Sequence, residues 1–224
     1  MRSQEPPAPK FGEQSLALYV LLAALFAGSL VTANLIATKI VTVWGLFVPA
    51  GVLAYSITFA VTDVICEVWG RRATQAVVHA GFIVLVASWA LVALAIRLPA
   101  APFWQAQEAY AGVLGQANRI IFASLVAYAV SQSLDVWGFQ RLKELTRGRA
   151  LWLRNNLATA ASQTVDSALF VFIAFYGQAP VLHLIAGQLA VKYVIALVDT
   201  PVVYAGVWLV RSRLRAAGEA ESLA

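Results

Sequence analysis

Long apolar stretches separated by short polar ones dominate this chain. A helix needs about 20 residues to cross roughly 30 Å of hydrocarbon. Six stretches reach that length: Leu16 to Thr38, Gly51 to Gly70, Ala73 to Ile96, Asn118 to Phe139, Asn156 to Tyr176, and Val181 to Val210. The pattern predicts an all-α integral membrane protein with six transmembrane helices in one bundle. The last stretch is longer than one crossing requires, and Pro201 within it lacks a backbone donor, so a kink or tilt is expected there. Between the first two spans, IVTVWGLFVPA is apolar but too short to cross, and its Trp, Phe and Pro suit an interfacial hairpin or re-entrant turn. Leu98 to Ala117, Pro-containing and aromatic, reads as the longest loop on that side. Residues 1–15 form a polar tail expected to be disordered, residues 16–211 the membrane domain, and residues 212–224 a second tail.

Composition sharpens this picture. The 224 residues are 61% hydrophobic and 12% charged, where soluble domains carry roughly 25% charged residues. The spans leave no room for a separate soluble module. A net charge of +5 is compatible with nucleic-acid binding, but the basic residues flank the apolar runs and no aromatic RNA-binding strand accompanies them. Arg2, Lys10, Arg71, Arg72, Arg141, Lys143, Arg147, Arg149, Arg154, Arg211, Arg213 and Arg215 fall on one side, which is 12 of the 16 Lys and Arg residues. Lys39, Arg97 and Arg119 fall at the opposite face, so the positive-inside rule places both termini in the cytoplasm. Cys66 is the single cysteine, which removes intrachain disulfides and Cys-based metal sites from consideration, and nothing in the chain calls for a cofactor.

The chemistry resides in residues that insertion penalises. Asp63, Glu67, Asp135, Asp166, Lys192 and Asp199 lie within the predicted spans, each costing roughly 2.5 to 3.5 kcal/mol near a helix centre. They must face protein or water. Helical spacing collects them into stripes: Asp63 with Glu67; Ser124, Tyr128, Ser131 and Asp135; Asn155, Thr159, Ser162 and Asp166; Gln188, Lys192 and Asp199; and the shorter pair Asn34 and Thr38. Five of six helices thus point polar faces at a central cavity, while the third, with only His79 and Ser88, is expected at the periphery. Asp63, Glu67 and Asp135 also have a simpler reading, as helix-end anchors paired with Arg71, Arg72 or Arg141. Most tryptophans, Trp44, Trp69 and Trp208 among them, fall near predicted interfaces and suit an aromatic belt. Short echoes recur: AVTDVICEVWG and AVSQSLDVWGF each place an acid before Val-Trp-Gly, which fits two related three-helix halves.

One long segment has a wider likeness. RIIFASLVAYAVSQSLDVWGFQRLKELTRGRALWLRNNLATAASQTVDSALFVFIAFYG, from Arg119 to Gly177, resembles the queuosine precursor transporter family, once grouped as vitamin uptake transporters, and TANLIATKIV and YSITFAVTDVICEVWGRR fit the same family's opening. The elements Asp-Val-x-x-Phe, Trp-Leu-Arg-Asn-Asn and Ser-Gln-x-x-Asp are specific as an ordered set. Ala158 departs from the pattern, which has a small polar residue before Thr159. The resemblance implies a six-helix inner-membrane importer of 7-cyano-7-deazaguanine or 7-aminomethyl-7-deazaguanine, modified bases salvaged for tRNA modification. It also implies similarity to the substrate-binding subunits of energy-coupling-factor transporters.

The residues suit such a cargo. A deazaguanine offers adjacent N–H donors and a carbonyl acceptor, which a carboxylate and a cation would meet. Asp166, Lys192, Asn34 and Gln163 rank first as binding residues, followed by Asp135, Gln132, Asn156 and Asp199, with Asp63 and Glu67 assigned to gating or coupling. Gly28, Gly81, Gly187 and the Pro201 kink would let the bundle rock between two access states. The competing reading is a substrate-capture subunit for another small heterocycle or vitamin, dependent on a separate energising complex. An enzyme is disfavoured, because no P-loop, HExxH, Ser/His arrangement or Gly-x-Gly-Asp context is present. The partners expected are a small-molecule substrate and the lipid bilayer, and a monomer and a homodimer are both compatible with the chain.

Overall fold

The computed structural model describes residues 12–145 and 151–218, without the side chains of 132, 135, 136, 138–140, 142–145, 151–160, 196 and 197. Five helices and a two-stranded hairpin run in the order α1 (Glu13–Ile36), β1 (Ile40–Val43), β2 (Leu46–Pro49), α2 (Val52–Arg97), α3 (Gln107–Leu145), α4 (Leu151–Phe175) and α5 (Val181–Ala216).

The 46 residues of α2 would stretch about 69 Å as one straight helix, twice what a bilayer needs. The helix is not straight. Gly70 sits at φ 82, ψ 173, a conformation essentially closed to side-chain-bearing residues. Contacts with α1 trace the course of the two arms. Gly51, at the start of α2, abuts Ala33 and Ala37, and Trp69 reaches back to Ser15. Beyond Gly70 the order along α1 reverses, with Ala73 beside Tyr19 and Gly81 against Phe26 and Leu30. The two arms of α2 are therefore antiparallel, and together with α1, α3, α4 and α5 they give six helical rods. The Val-Trp-Gly echo does not repeat this geometry, because Gly138 continues the helix in α3.

Among the described residues, three helices are long and apolar enough to cross a membrane, Glu13–Ile36, Val52–Arg97 and Gln107–Ser131, and a fourth is added if the bent pair Val181–Ile195 and Val198–Ala216 counts as one span. The 43° bend between those pieces lies one turn before Pro201, where the missing proline N–H breaks the helical ladder. Large apolar side chains face outward along the bundle, including Leu21, Ile83, Leu91, Leu182 and Trp208, as a lipid solvent demands.

The short apolar segment forms a hairpin. Trp44 and Gly45 both take positive φ, 50° and 79°, the signature of a two-residue type I′ turn. The ladder pairs Ile40 with Pro49 through Val43 with Leu46, and Val48 is fully buried. A Cβ at Gly187 of α5 would overlap the Phe47 carbonyl, so the absence of a side chain there lets β2 lie directly on the helix.

Three expectations are corrected. The loop expected from Leu98 to Ala117 is shorter, since α3 begins at Gln107 with Glu108 in its first turn, where a negative charge favours the helix start. Trp69 does not join an interfacial belt. It is buried and donates Nε1–H to Ser15 Oγ at 2.8 Å, edge-on to Tyr19, because a polar handle with a buried partner lets indole enter a core. The third span is not peripheral: Val77, Gly81 and Leu85 pack into the main apolar cluster, and Val78, Phe82 and Leu85 line an internal cavity.

Candidate functional site

Two apolar clusters hold the bundle, one joining α1, α2, the second half of α5 and α3 at Ile121, the other joining α3, α4, the start of α5 and Ala37 at the end of α1. The deep polar residues belong to neither. Lys192 of α5 meets Asp166 of α4, with Nζ 3.0 Å from Oδ2 and 2.8 Å from Ser167 Oγ. Ser131 of α3 donates weakly to Asp166 Oδ1 at 3.4 Å. The Lys192 ammonium also stands 5.9 Å from the centre of the Tyr55 ring, a cation–π distance. With side-chain exposures of 13% and 19%, the pair is largely withdrawn from solvent.

Three cavities adjoin this pair. A chamber of ≈ 50 Å³ under the hairpin is lined by Asn34, Pro49, Tyr55, Ser124, Asp166, Phe170, Gln188 and Lys192, among others. A second, of ≈ 200 Å³, shares Tyr55, Ser124 and Asp166 and continues past Thr62, Tyr128 and Gln163. The third is a vestibule of ≈ 780 Å³ lined by Asp63, Cys66, Glu67, Gln163, Lys192, Asp199, Tyr204 and Arg211. Lys192 borders the first and third, Asp166 the first and second, so the ion pair stands where all three spaces approach one another.

The candidate residues divide accordingly. Asp166, Lys192 and Asn34 share the hairpin chamber. Gln163 instead faces the other two cavities. Asn34 is already engaged: Nδ2 donates to Leu30 O at 2.8 Å and Oδ1 accepts from Ser124 Oγ at 2.7 Å, so it ties α1 to α3. Asp63, Glu67 and Asp199 line the vestibule. Glu67 pairs with Arg211 of α5 at 3.0 Å. The side chains of Gln132, Asp135 and Asn156 lie outside the described residues.

Sequence reasoning left Tyr55, Ser167 and Gln188 out of the ranked site. Gln188 was legible as a member of the Lys192 stripe, four residues away. Tyr55 carried a fainter signal, spaced three and seven from Thr58 and Thr62, and Ser167 none beyond its neighbour Asp166. Among the described residues, no group of three His, Cys, Asp or Glu is placed to hold a metal ion.

Residues 49–206 match the family described as "Putative vitamin uptake transporter". The chain is 30% identical over 199 residues to the "Probable queuosine precursor transporter" of Bacillus subtilis (strain 168), an alignment covering 87% of this chain and 84% of that protein. The chain belongs to the queuosine precursor transporter family. It is thus a multi-pass membrane transporter and not an enzyme. This transporter is also 30% identical over 136 residues to the "Queuosine precursor transporter" of Escherichia coli (strain K12), covering 60% of this chain and 56% of the relative. No solved structure matches it.

Proposed function

We propose that this transporter imports a queuosine precursor, 7-cyano-7-deazaguanine or 7-aminomethyl-7-deazaguanine, across the inner membrane by alternating access. The two relatives carry that substrate class in their names. Counting the arms of α2 separately, the six rods make six passes with both termini cytoplasmic, an orientation supported by the Lys and Arg distribution. On that orientation the vestibule opens inward and the hairpin closes the outer side.

The observation that carries the reading is the Asp166–Lys192 pair at the junction of the cavities. An ionisable pair deep in a bundle marks a substrate path more often than a stabilising device. Lys192 offers ammonium protons to the carbonyl of the base, and Asp166 accepts from its ring N–H. Tyr55 and Phe170 give the planar ring aromatic walls. The chamber under the hairpin has room for only about three or four waters at ~10–15 Å³ each, so seating a base requires the hairpin side to loosen or the second cavity to contribute.

The test is uptake of radiolabelled 7-cyano-7-deazaguanine into liposomes holding only this protein. Wild type should transport unaided, and Asp166→Asn should lose at least about 99% of uptake, a loss of ~2.7 kcal/mol at RT ln 100, with membrane insertion unchanged. Normal uptake by the variant, or uptake that requires a second complex, overturns the proposal.

A further inference from the structure

Recognition by Asp166 and Lys192 alone asks one carboxylate, already paired, to accept both ligand donors. A deazaguanine presents three groups in a row along one edge: the carbonyl, the ring N–H and the exocyclic amine. A free carboxylate would take both donors side by side. Asp166 is not free, since Oδ2 accepts from Lys192 at 3.0 Å, leaving Oδ1 with a long contact to Ser131 at 3.4 Å. Each carboxylate oxygen keeps one further lone-pair site, but both are already shared with a protein donor, so a separate acceptor for the amine adds a contact that Asp166 does not give undivided.

A residue that lines the chamber carries such an acceptor. Gln188 lines it and is 9% exposed, and its Oε1 is buried without a hydrogen-bond partner. Buried polar atoms in folded proteins are nearly always satisfied, and an exception calls for an explanation. Its burial is a consequence of the fold. Gly187, the residue before it, receives the Phe47 carbonyl of the hairpin, so β2 covers this turn of α5. Gln188 precedes Lys192 by four residues, about 5.4 Å along the same helix face.

We propose that Gln188 is the specificity-determining residue of this transporter, accepting the exocyclic amine of the base through Oε1. The inference rests on the deazaguanine reading of the site. Lys192, Asp166 and Gln188 all line the one chamber, which supplies one partner each for the carbonyl, the ring N–H and the amine. A base lacking the amine leaves Oε1 buried and unsatisfied, and it is rejected for that reason.

Two ligands that differ only in this group test the assignment: 7-cyano-7-deazaguanine and its 2-desamino analogue, 7-cyano-7-deazahypoxanthine, each measured for binding to purified protein. Wild type should prefer the amino ligand by about tenfold to hundredfold, the size of one lost hydrogen bond to a buried partner. Gln188→Leu and Gln188→Met should bring the two affinities within about threefold of each other, whereas Gln188→Glu, which keeps an acceptor, should retain the preference. A purely structural glutamine would shift both ligands together and leave their ratio unchanged, and that result in either apolar variant overturns the assignment. So does a wild type that binds both ligands equally. If wild type binds neither, the deazaguanine reading itself fails, which is a separate outcome.

Discussion

At the scale of single residues, two ion pairs of similar length have different weights. Arg211 and Glu67 are 3.0 Å apart, but 48% and 60% of their side chains stay exposed, so solvent screens them and Glu67→Gln should cost under about 1 kcal/mol. Lys192 and Asp166 are equally close with 13% and 19% exposure. Lys192→Met strands a carboxylate in the bundle and should cost about 3 kcal/mol. Thermal unfolding in detergent checks both, with the ordering of the two variants as the decisive reading. The stripes at helical spacing foretold that Asp166 and Lys192 face inward. They did not reveal that Asn34 is engaged by Leu30 of its own helix and by Ser124 of α3, because a partner on another helix has no periodicity to read.

At the scale of elements, the hairpin on α5 governs the chamber. Gly187→Ala places a Cβ into the Phe47 carbonyl, and backbone cannot rotate aside as a side chain would. The variant should lose about 1 to 3 kcal/mol and bind substrate about tenfold more weakly, since Pro49 and Gln188 shift with the strand. Gly28→Ala is the control: nothing lies within 4 Å of its added Cβ, so it should be neutral or slightly stabilising, as glycine within a helix costs roughly 0.5–1 kcal/mol relative to alanine. Unfolding midpoints and ligand titration of both variants check this. The hairpin itself was readable from an apolar segment too short to cross. Its type I′ turn was less so, since tryptophan seldom takes positive φ, and the pairing across Trp44 and Gly45 makes it do so.

For the whole molecule, the proposed alternating-access cycle predicts that the wide vestibule narrows when substrate is bound. Cys66 lines that vestibule and is the single cysteine of the chain, a built-in reporter. A membrane-impermeant thiol reagent should label it from the vestibule side, and saturating 7-cyano-7-deazaguanine should slow labelling about tenfold or more if substrate closes or fills that path. Unchanged labelling with bound substrate would contradict a cycle in which this vestibule shuts.

Hydropathy alone determined that the chain lives in lipid and which charged residues must avoid the hydrocarbon, because the cost of exposing charge there does not depend on neighbours; of the six spans it predicts, three helices, or four with the bent pair, are long and apolar enough among the described residues. Which of those residues meet was decided only by tertiary packing. Gly70 reverses α2, α5 set against α2 brings Arg211 to Glu67, Gly187 lets the hairpin lie on α5, and α4 set against α5 closes Asp166 onto Lys192. Contacts between rods depend on rotation and depth, and a one-dimensional pattern fixes neither.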